Sequence, residues 1–268
     1  MARRRPTVAD LRALKGRRQL TMLRVFTVEE AQAAEEAGID IASIPPELLA
    51  HPRYREVAPT LFSMTGQTHL EAGTREDYLR WGGAMMQAGA DALYCSGSLD
   101  TVAFLAREHL PVVGHVGLVP SRATWTGGFR AVGKTAGAAR ALLEEVRACE
   151  AAGAFAAEIE VVPAAVASAI SARVGILLWS MGAGKGCDAQ YLFASDLLGY
   201  TEGHVPRHAK AYRDFRAEHA RLQAERVAAF AEFRADVESG AFPAPEHLVA
   251  MPGAELAAFL AELDAEDR

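Results

Sequence analysis

The sequence predicts a single (β/α)8 TIM barrel, an α/β fold of parallel strand–helix units, with additional helices at its C-terminal end. Three observations predict it. The 268 residues suit one such barrel and can bury a large core. Short apolar runs rich in branched residues alternate with longer Ala/Glu/Arg-rich amphipathic runs, the pattern of parallel βα units. Three helical runs end in a glycine that leads into a strand, in Glu36-Ala37-Gly38, Gln87-Ala88-Gly89 and Ala151-Ala152-Gly153. Glycine there supplies a left-handed cap.

In chain order, strands are expected over Leu20–Phe26, Asp40–Ile44, Pro59–Met64, Ala92–Ser96, Pro111–Val116, Ala157–Val161 and Gly175–Met181. Helices are expected between them over Val28–Ala37, Arg75–Ala88, Asp100–Glu108, Thr135–Ala152 and Ala164–Ala172. An eighth strand is placed near Tyr191–Ala194, unless one unit is irregular. A doubly wound open sheet is the rival fold, weakened because no strand-adjacent GxGxxG stands near the N-terminus. After about Leu198 the strand signal stops. A long helical stretch follows over Arg207–Ser239, Gly240 to Pro245 breaks it, and a last helix covers Ala254–Asp264. The chain 1–268 thus reads as one barrel domain, with 200–268 a mainly helical extension.

Composition narrows the function. Hydrophobic residues make up 50% of the chain and charged ones 23%, as in soluble globular proteins. A net charge of -6 argues against nucleic acid or an anionic membrane as the main partner. Arg3-Arg4-Arg5 is not followed by an apolar stretch, so it reads as a solvated arm rather than a secretory signal. No apolar run reaches the length of a membrane span. The cysteines, Cys95, Cys149 and Cys187, are few, odd in number and widely spaced. That pattern fits a reduced cytoplasm, with neither a disulfide framework nor a structural zinc site. A cytoplasmic protein acting on a small molecule is therefore expected.

Barrel chemistry gathers at the C-terminal ends of strands. Gly114-His115-Val116-Gly117-Leu118 closes one strand, and Tyr94-Cys95-Ser96-Gly97-Ser98 ends another. Glu158 and Glu160 alternate within one strand and so share a face. Two acids facing one way in an apolar strand are costly unless solvated, paired or used. Ser180-Met181-Gly182-Ala183-Gly184-Lys185-Gly186-Cys187-Asp188 is a Gly-rich loop after a strand, without the GK[ST] ending of a nucleotide loop. Each has a plainer reading: His115 as a core histidine, the two acids as buried ion-pair partners, the loop as a tight turn, Tyr94 as a barrel filler. His204 and His208 stand four apart, but without an acid between them in an HExxH pattern they read as solvated helix histidines.

Several motifs, in this order, resemble the ketopantoate hydroxymethyltransferase family. Pro111-Val112-Val113-Gly114-His115-Val116-Gly117-Leu118 is similar to its PVxGHxGL segment, and Gly127-Gly128-Phe129 through Gly133-Lys134 to its GGFxxxGK. Ala152-Gly153-Ala154-Phe155, Glu160 and Val162-Pro163 match its AGAF…E.VP run. Gly182-Ala183-Gly184, Gly186 and Cys187-Asp188-Ala189-Gln190 match GAGxxCDGQ with Ala189 for glycine, and Gly240, Phe242-Pro243 and Glu246-His247 match a late G-x-FP…EH. The middle motifs are specific; the N-terminal third is weaker.

The resemblance implies a barrel related to phosphoenolpyruvate mutase and isocitrate lyase. It implies a 2-oxo acid bound through Mg²⁺, an enolate, and attack on the one-carbon unit of 5,10-methylenetetrahydrofolate. Glu160 takes the place of the family's acid/base and His115 that of its pocket histidine. At the family's metal and substrate places, however, stand Pro46, Met64 and Ser96 for carboxylates and Tyr94 for a lysine. Proline and methionine supply no oxygen ligand for a hard cation, so Mg²⁺ is not expected at the usual site. Glu47, Glu71, Glu158 and Asp188 are the acids from which a displaced site could be built.

The leading expectation is enolate-type carbon–carbon chemistry on a small 2-oxo acid or related carboxylate. Glu160, His115 and Tyr94 are its catalytic residues; Ser96, Glu158, Ser180 and Gly182 its substrate contacts; no metal ligand is assigned. His115, Tyr94 and Ser96 are expected to donate hydrogen bonds to the developing oxyanion in the metal's stead. The alternatives are ordinary hydroxymethyl transfer to 2-oxoisovalerate with a shifted metal site, and an inactive barrel used for binding or regulation. The family also implies a homo-oligomer.

Overall fold

Eight parallel strands close into a barrel in chain order in the computed structural model, which describes residues 4–66 and 72–266. They are β1 (Leu20–Arg24), β2 (Ile41–Ile44), β3 (Phe62–Gly66), β4 (Ala92–Tyr94), β5 (Val112–Gly117), β6 (Ala156–Glu160), β7 (Leu177–Met181) and β8 (Ala189–Phe193). β8 returns to β1 in a five-residue register running from Leu20 opposite Ala189 to Arg24 opposite Phe193. The seven expected strands are all present, shifted by up to three residues at their ends. The eighth starts two residues before its expected position. Its signal was weak because no helix precedes it: residues 182–188 join β7 to β8 directly.

That connection is the irregular unit. It is a strap running from the C-terminal end of β7 to the N-terminal end of β8. The Gln19 amide donates to the carbonyls of Lys185 and Cys187 at 2.8 and 2.9 Å, and the Gln190 amide donates to the Gly184 carbonyl at 2.9 Å. Asp188, buried at its foot, accepts from the Leu178 backbone N–H and from Lys15 Nζ, each at 2.8 Å. These side chains satisfy backbone that a helix would otherwise have satisfied itself.

Strand alternation decides what lies inside. Leu20, Met22, Ile41, Phe62, Leu177 and Trp179 all face one apolar interior cluster. Phe155 joins Phe62 to Trp179 through edge-to-face contacts, with ring centroids 6.3 and 5.9 Å apart. Such fully buried side chains each contribute about 1.5–3 kcal/mol through lost contact with water. The intervening strand residues, among them Val116, Ile159 and Leu178, face the helix layer, where Leu105, Leu142 and Val146 cover them. Leu11 adds to the inner cluster from the helix Val8–Ala13, which a Thr7–Asp10 capping box starts.

The helices Val28–Ala37, Arg75–Gln87, Leu99–Arg107, Ala136–Ala151 and Ala164–Ser171 fall within a residue of expectation. Gly38 ends the first of them in the left-handed region, with φ 77. The long C-terminal helix is shorter than expected: it covers Phe215–Ser239, because the Asp214 side chain caps it by accepting from the Ala217 N–H at 3.1 Å. His204 therefore lies in irregular chain and His208 in a turn, neither on a helix.

By chain contacts the molecule divides into two units, 1–213 and 214–268. The first holds the barrel. The second holds Phe215–Ser239, a turn at Pro245–His247 and the helix Gly253–Glu266, with the Phe242 ring between Phe233 and His247 at 5.4 and 5.1 Å. Among the described residues, no helix is long and apolar enough to cross a membrane.

Candidate active site

Where the strands end, the inner face turns from apolar to polar. The last inward residues are Arg24 and Ser43 on β1 and β2, Gly66 on β3, Tyr94 on β4, His115 on β5, Glu158 and Glu160 on β6, and Tyr191 on β8. All of them line one cavity of about 350 Å³. A larger hollow of about 480 Å³ lies outside the barrel against β1, but its walls are mostly aliphatic and, among the described residues, Glu30 is its one acid.

The residues expected to carry the chemistry meet here. The Tyr94 hydroxyl lies 2.6 Å from His115 Nδ1. His115 Nε2 lies 3.1 Å from Glu160 Oε2, and Nδ1 lies 3.7 Å from Glu158 Oε2. The contact with Glu160 is close but off the line of a well-formed hydrogen bond, so the buried Nε2 has no directed acceptor. The register explains the meeting: His115 stands opposite Glu158, and Gly117 opposite Glu160. A Cβ on Gly117, which has φ 84, would come within 2.5 Å of the Glu160 carbonyl, so that glycine lets β5 approach the acid strand. Val161, directly after Glu160, holds φ 48, a conformation unusual for a branched residue and costing about 1–3 kcal/mol. Its N–H donates to the Met181 carbonyl at 2.8 Å and its carbonyl accepts from Val132 at 3.1 Å, which fixes this end of β6.

Electrostatics separate the two acids. Burial pushes the Glu158 carboxyl up to about 7, with Glu160 adding to the rise while His115 and Arg24 oppose it. Near neutral pH Glu158 is thus poised between its two forms. Burial, reinforced by Glu158, also pushes Tyr94 well above the ordinary phenol value, while the Ser96 hydroxyl beside it acts the other way. Tyr191 is raised by burial as well. Both phenols stay protonated through neutral pH.

Three expected substrate contacts do not line this cavity. Ser180 alternates with the inward-facing Trp179 and Met181 on β7, and its Oγ accepts from the Ala183 N–H at 3.1 Å. Gly182 starts the strap, where a Cβ would collide with the His208 ring at 2.6 Å. Ser96 stands at the edge: its carbonyl accepts from Arg122 at 3.4 Å, and it is not part of the cavity lining.

The residues that the resemblance sets at the family's metal places offer no set of carboxylates to a divalent cation. Pro46 opens a four-residue helix and offers no oxygen from its side chain. Met64 is buried in the apolar interior. Glu47 is exposed, and Asp188 is committed to Lys15 and the Leu178 N–H. Glu71 lies outside the described residues. Among the described residues, no three His, Cys, Asp or Glu side chains form a group arranged to hold an ion.

Sequence reasoning missed Arg24, Ser43 and Tyr191. The signal was present: Arg24 follows Leu20 and Met22 at period two, so an inward β1 places a cation at the mouth.

A closed parallel barrel whose polar residues gather at the C-terminal mouth is the architecture of an α/β-barrel enzyme. Residues 68–245 match the family model for ketopantoate hydroxymethyltransferase. The 3-methyl-2-oxobutanoate hydroxymethyltransferase of Nitratidesulfovibrio vulgaris is 33% identical over 96% of this chain and 90% of its own. That of Pyrobaculum calidifontis is 34% identical over 92% and 99%. The chain belongs to the ketopantoate hydroxymethyltransferase family, a family of transferases. In fold it is similar to phosphonopyruvate hydrolase, solved with oxalate and Mg²⁺, at a TM-score of 0.52 and 14% identity, covering 98% of this chain and 99% of that one.

Proposed function

We propose that the chain catalyses enolate-type carbon–carbon bond formation on a small 2-oxo acid, with 5,10-methylenetetrahydrofolate as the one-carbon donor its family uses. The observation that carries this reading is the Glu160 carboxylate 3.1 Å from a buried imidazole, at a cavity of about 350 Å³ in the barrel mouth. That volume suits a small ligand.

Glu160 is the base: its carboxylate takes the proton from the carbon beside the oxo group. The charge that develops on the oxo oxygen needs donors held in place in a dry site. His115 supplies one. A protonated Tyr94 donates to Nδ1, which leaves the hydrogen of a neutral imidazole on Nε2, the nitrogen that lacks a directed acceptor. Tyr94 therefore acts through the ring, as a positioning residue, rather than as a direct donor to substrate. Glu158, part-protonated near neutral pH, spares the cluster a second full negative charge. Water opens the donor's methylene bridge: both carbon–nitrogen bonds break, the two nitrogens take the protons, and the carbon leaves at the formaldehyde level. The enolate carbon bonds to that carbon, whose oxygen takes up a proton and becomes the hydroxyl group.

The test is exchange of the C3 hydrogen of 2-oxoisovalerate in deuterium oxide, followed by NMR. Wild type should promote exchange and Glu160→Gln should not. An inactive barrel is the second reading, favoured by Pro46 and Met64 at the metal places. Exchange no faster than in buffer, with and without added Mg²⁺, would establish it instead.

A further inference from the structure

Among the described residues, Arg24 is the one arginine or lysine that lines the cavity. It is half-buried on the inner face of β1, between Ser43 on one neighbouring strand and Phe193 on the other. Its Nη1 donates to Ser43 Oγ at 2.9 Å, and its guanidinium carbon lies 5.5 Å from the centroid of the Phe26 ring. Among the described residues, no carboxylate forms an ion pair with it, although Glu158 and Glu160 line the same cavity. A guanidinium has five N–H donors in a planar fork. The Ser43 bond uses one of them, and it fixes the plane of the fork.

Glu158 feels the Arg24 charge across the cavity, but among the described residues no carboxylate is bonded to the fork, so a half-buried cation keeps free donors for an anionic guest. The guest's shape follows from the donor. A planar fork pairs best with the two oxygens of a carboxylate, through parallel charge-assisted hydrogen bonds. Across the cavity stand Glu160, the proposed base, and His115, whose Nε2 lacks a directed acceptor. A carboxylate held by Arg24 would leave the adjoining oxo group and the carbon beyond it facing these two residues. In the family this orienting charge is a divalent cation, and here the side chains at its places cannot hold one.

We propose that Arg24 replaces the metal: it is a built-in cation that binds the carboxylate of a 2-oxo acid and makes substrate binding independent of divalent ions. Ser43 positions it. The proposal rests on the reading of the site as a 2-oxo acid enzyme, but it concerns binding alone and can fail separately.

The experiment is titration calorimetry of the full chain in EDTA, with oxalate as a planar enolate mimic and 2-oxoisovalerate as a substrate mimic. Wild type should bind both, and added Mg²⁺ should change neither affinity. Arg24→Met should weaken binding by roughly tenfold to a hundredfold, the usual loss for a charge-assisted pair. Arg24→Lys, which keeps the charge but not the fork, should fall between the two. Should the methionine variant fail to fold, the lysine variant and the wild-type response to Mg²⁺ still decide. Binding that requires Mg²⁺, or that is unchanged in the Arg24 variants, overturns the proposal. Glu160→Gln separates the two ideas. It should still bind oxalate in EDTA, so loss of exchange with binding retained bears on the base, and loss of binding in Arg24→Met bears on the cation.

Discussion

The two halves of the barrel mouth differ in how far they follow their family. The β4–β6 half keeps the GHxGL segment and the acid of the E.VP run, and folding brings His115 within 3.1 Å of Glu160. The β1–β3 half keeps little: Met64 sits in the apolar core, Gly66 packs against Tyr94, and Arg24 with Ser43 forms the polar surface. On the reading proposed here, the first half moves the proton and the second supplies positive charge. The two tasks reside on different strands, so one can be rebuilt while the other stays. A barrel permits this because each strand end contributes its side chain independently of its neighbours' loops.

The sharpest way to break the comparison is at the β4–β6 half. Glu160→Gln removes the base and keeps its volume. Exchange of 2-oxoisovalerate should fall by about 10²–10⁴-fold, the range for a lost general base, with the thermal midpoint little changed. A variant that keeps near-normal exchange makes Glu160 structural, and the β4–β6 half would then be no more catalytic than the other.

Tyr94→Phe should have the next largest effect. It leaves the ring in the wall and removes the hydrogen bond that orients His115. Loss of one oxyanion-type donor costs about a hundredfold, and a residue acting through that donor should cost no more, so kcat should fall by about ten- to a hundredfold. The pH profile of kcat should shift too, because Nδ1 loses its partner. A fall in stability with kcat intact would reduce Tyr94 to a barrel filler.

Reading the sequence succeeded where a repeating pattern carried the information. Period-two runs and glycine-capped helices set out seven strands, and Glu158 and Glu160 fall on one face as alternation requires. It failed where the fold departs from the repeat. The strap from Gly182 to Asp188 reads in sequence as a Gly-rich loop or tight turn, yet its side-chain partners show it standing in for a helix. Ser180 looked like a mouth residue because it ends a strand, but β7 turns Trp179 and Met181 inward and Ser180 outward. Arg24 was legible by the same alternation. The β1 cation belongs to none of the family motifs, so the resemblance does not point to it.

Glu158→Gln tests the electrostatics of the β4–β6 half through stability. In the folded chain the Glu158 carboxyl rises from an ordinary value near 4.5 to about 7. A raised acid favours the folded state while it is protonated in both states. That contribution is fully present below about pH 4.5 and is lost as the pH rises toward 7. That shift, about 2.5 pH units, corresponds to on the order of 3 kcal/mol. Denaturant unfolding at pH 5 and pH 8 should show the glutamine variant gaining on wild type at the higher pH. Equal differences at both would mean that Glu158 ionises normally.

The smallest effect on activity is expected at Ser180, and it concerns a residue that the sequence assigned to substrate. Its Oγ is almost fully buried and accepts from the Ala183 N–H at 3.1 Å, at the start of the strap. Ser180→Ala leaves that N–H without its acceptor, a loss of about 1–3 kcal/mol of stability when the donor is buried. The cavity residues on the inner face of the barrel are untouched, since Ser180 lies on the opposite face of β7 from Met181, which lines the cavity. Removing a group that touches neither ground state nor transition state changes neither constant, so kcat and KM for the 2-oxo acid should stay within about twofold of wild type. Steady-state kinetics and a thermal melt on one preparation would separate the two quantities. A tenfold rise in KM would mean that the strap opens in solution and presents Ser180 to the substrate, and the boundary drawn here between mouth and strap would have to move.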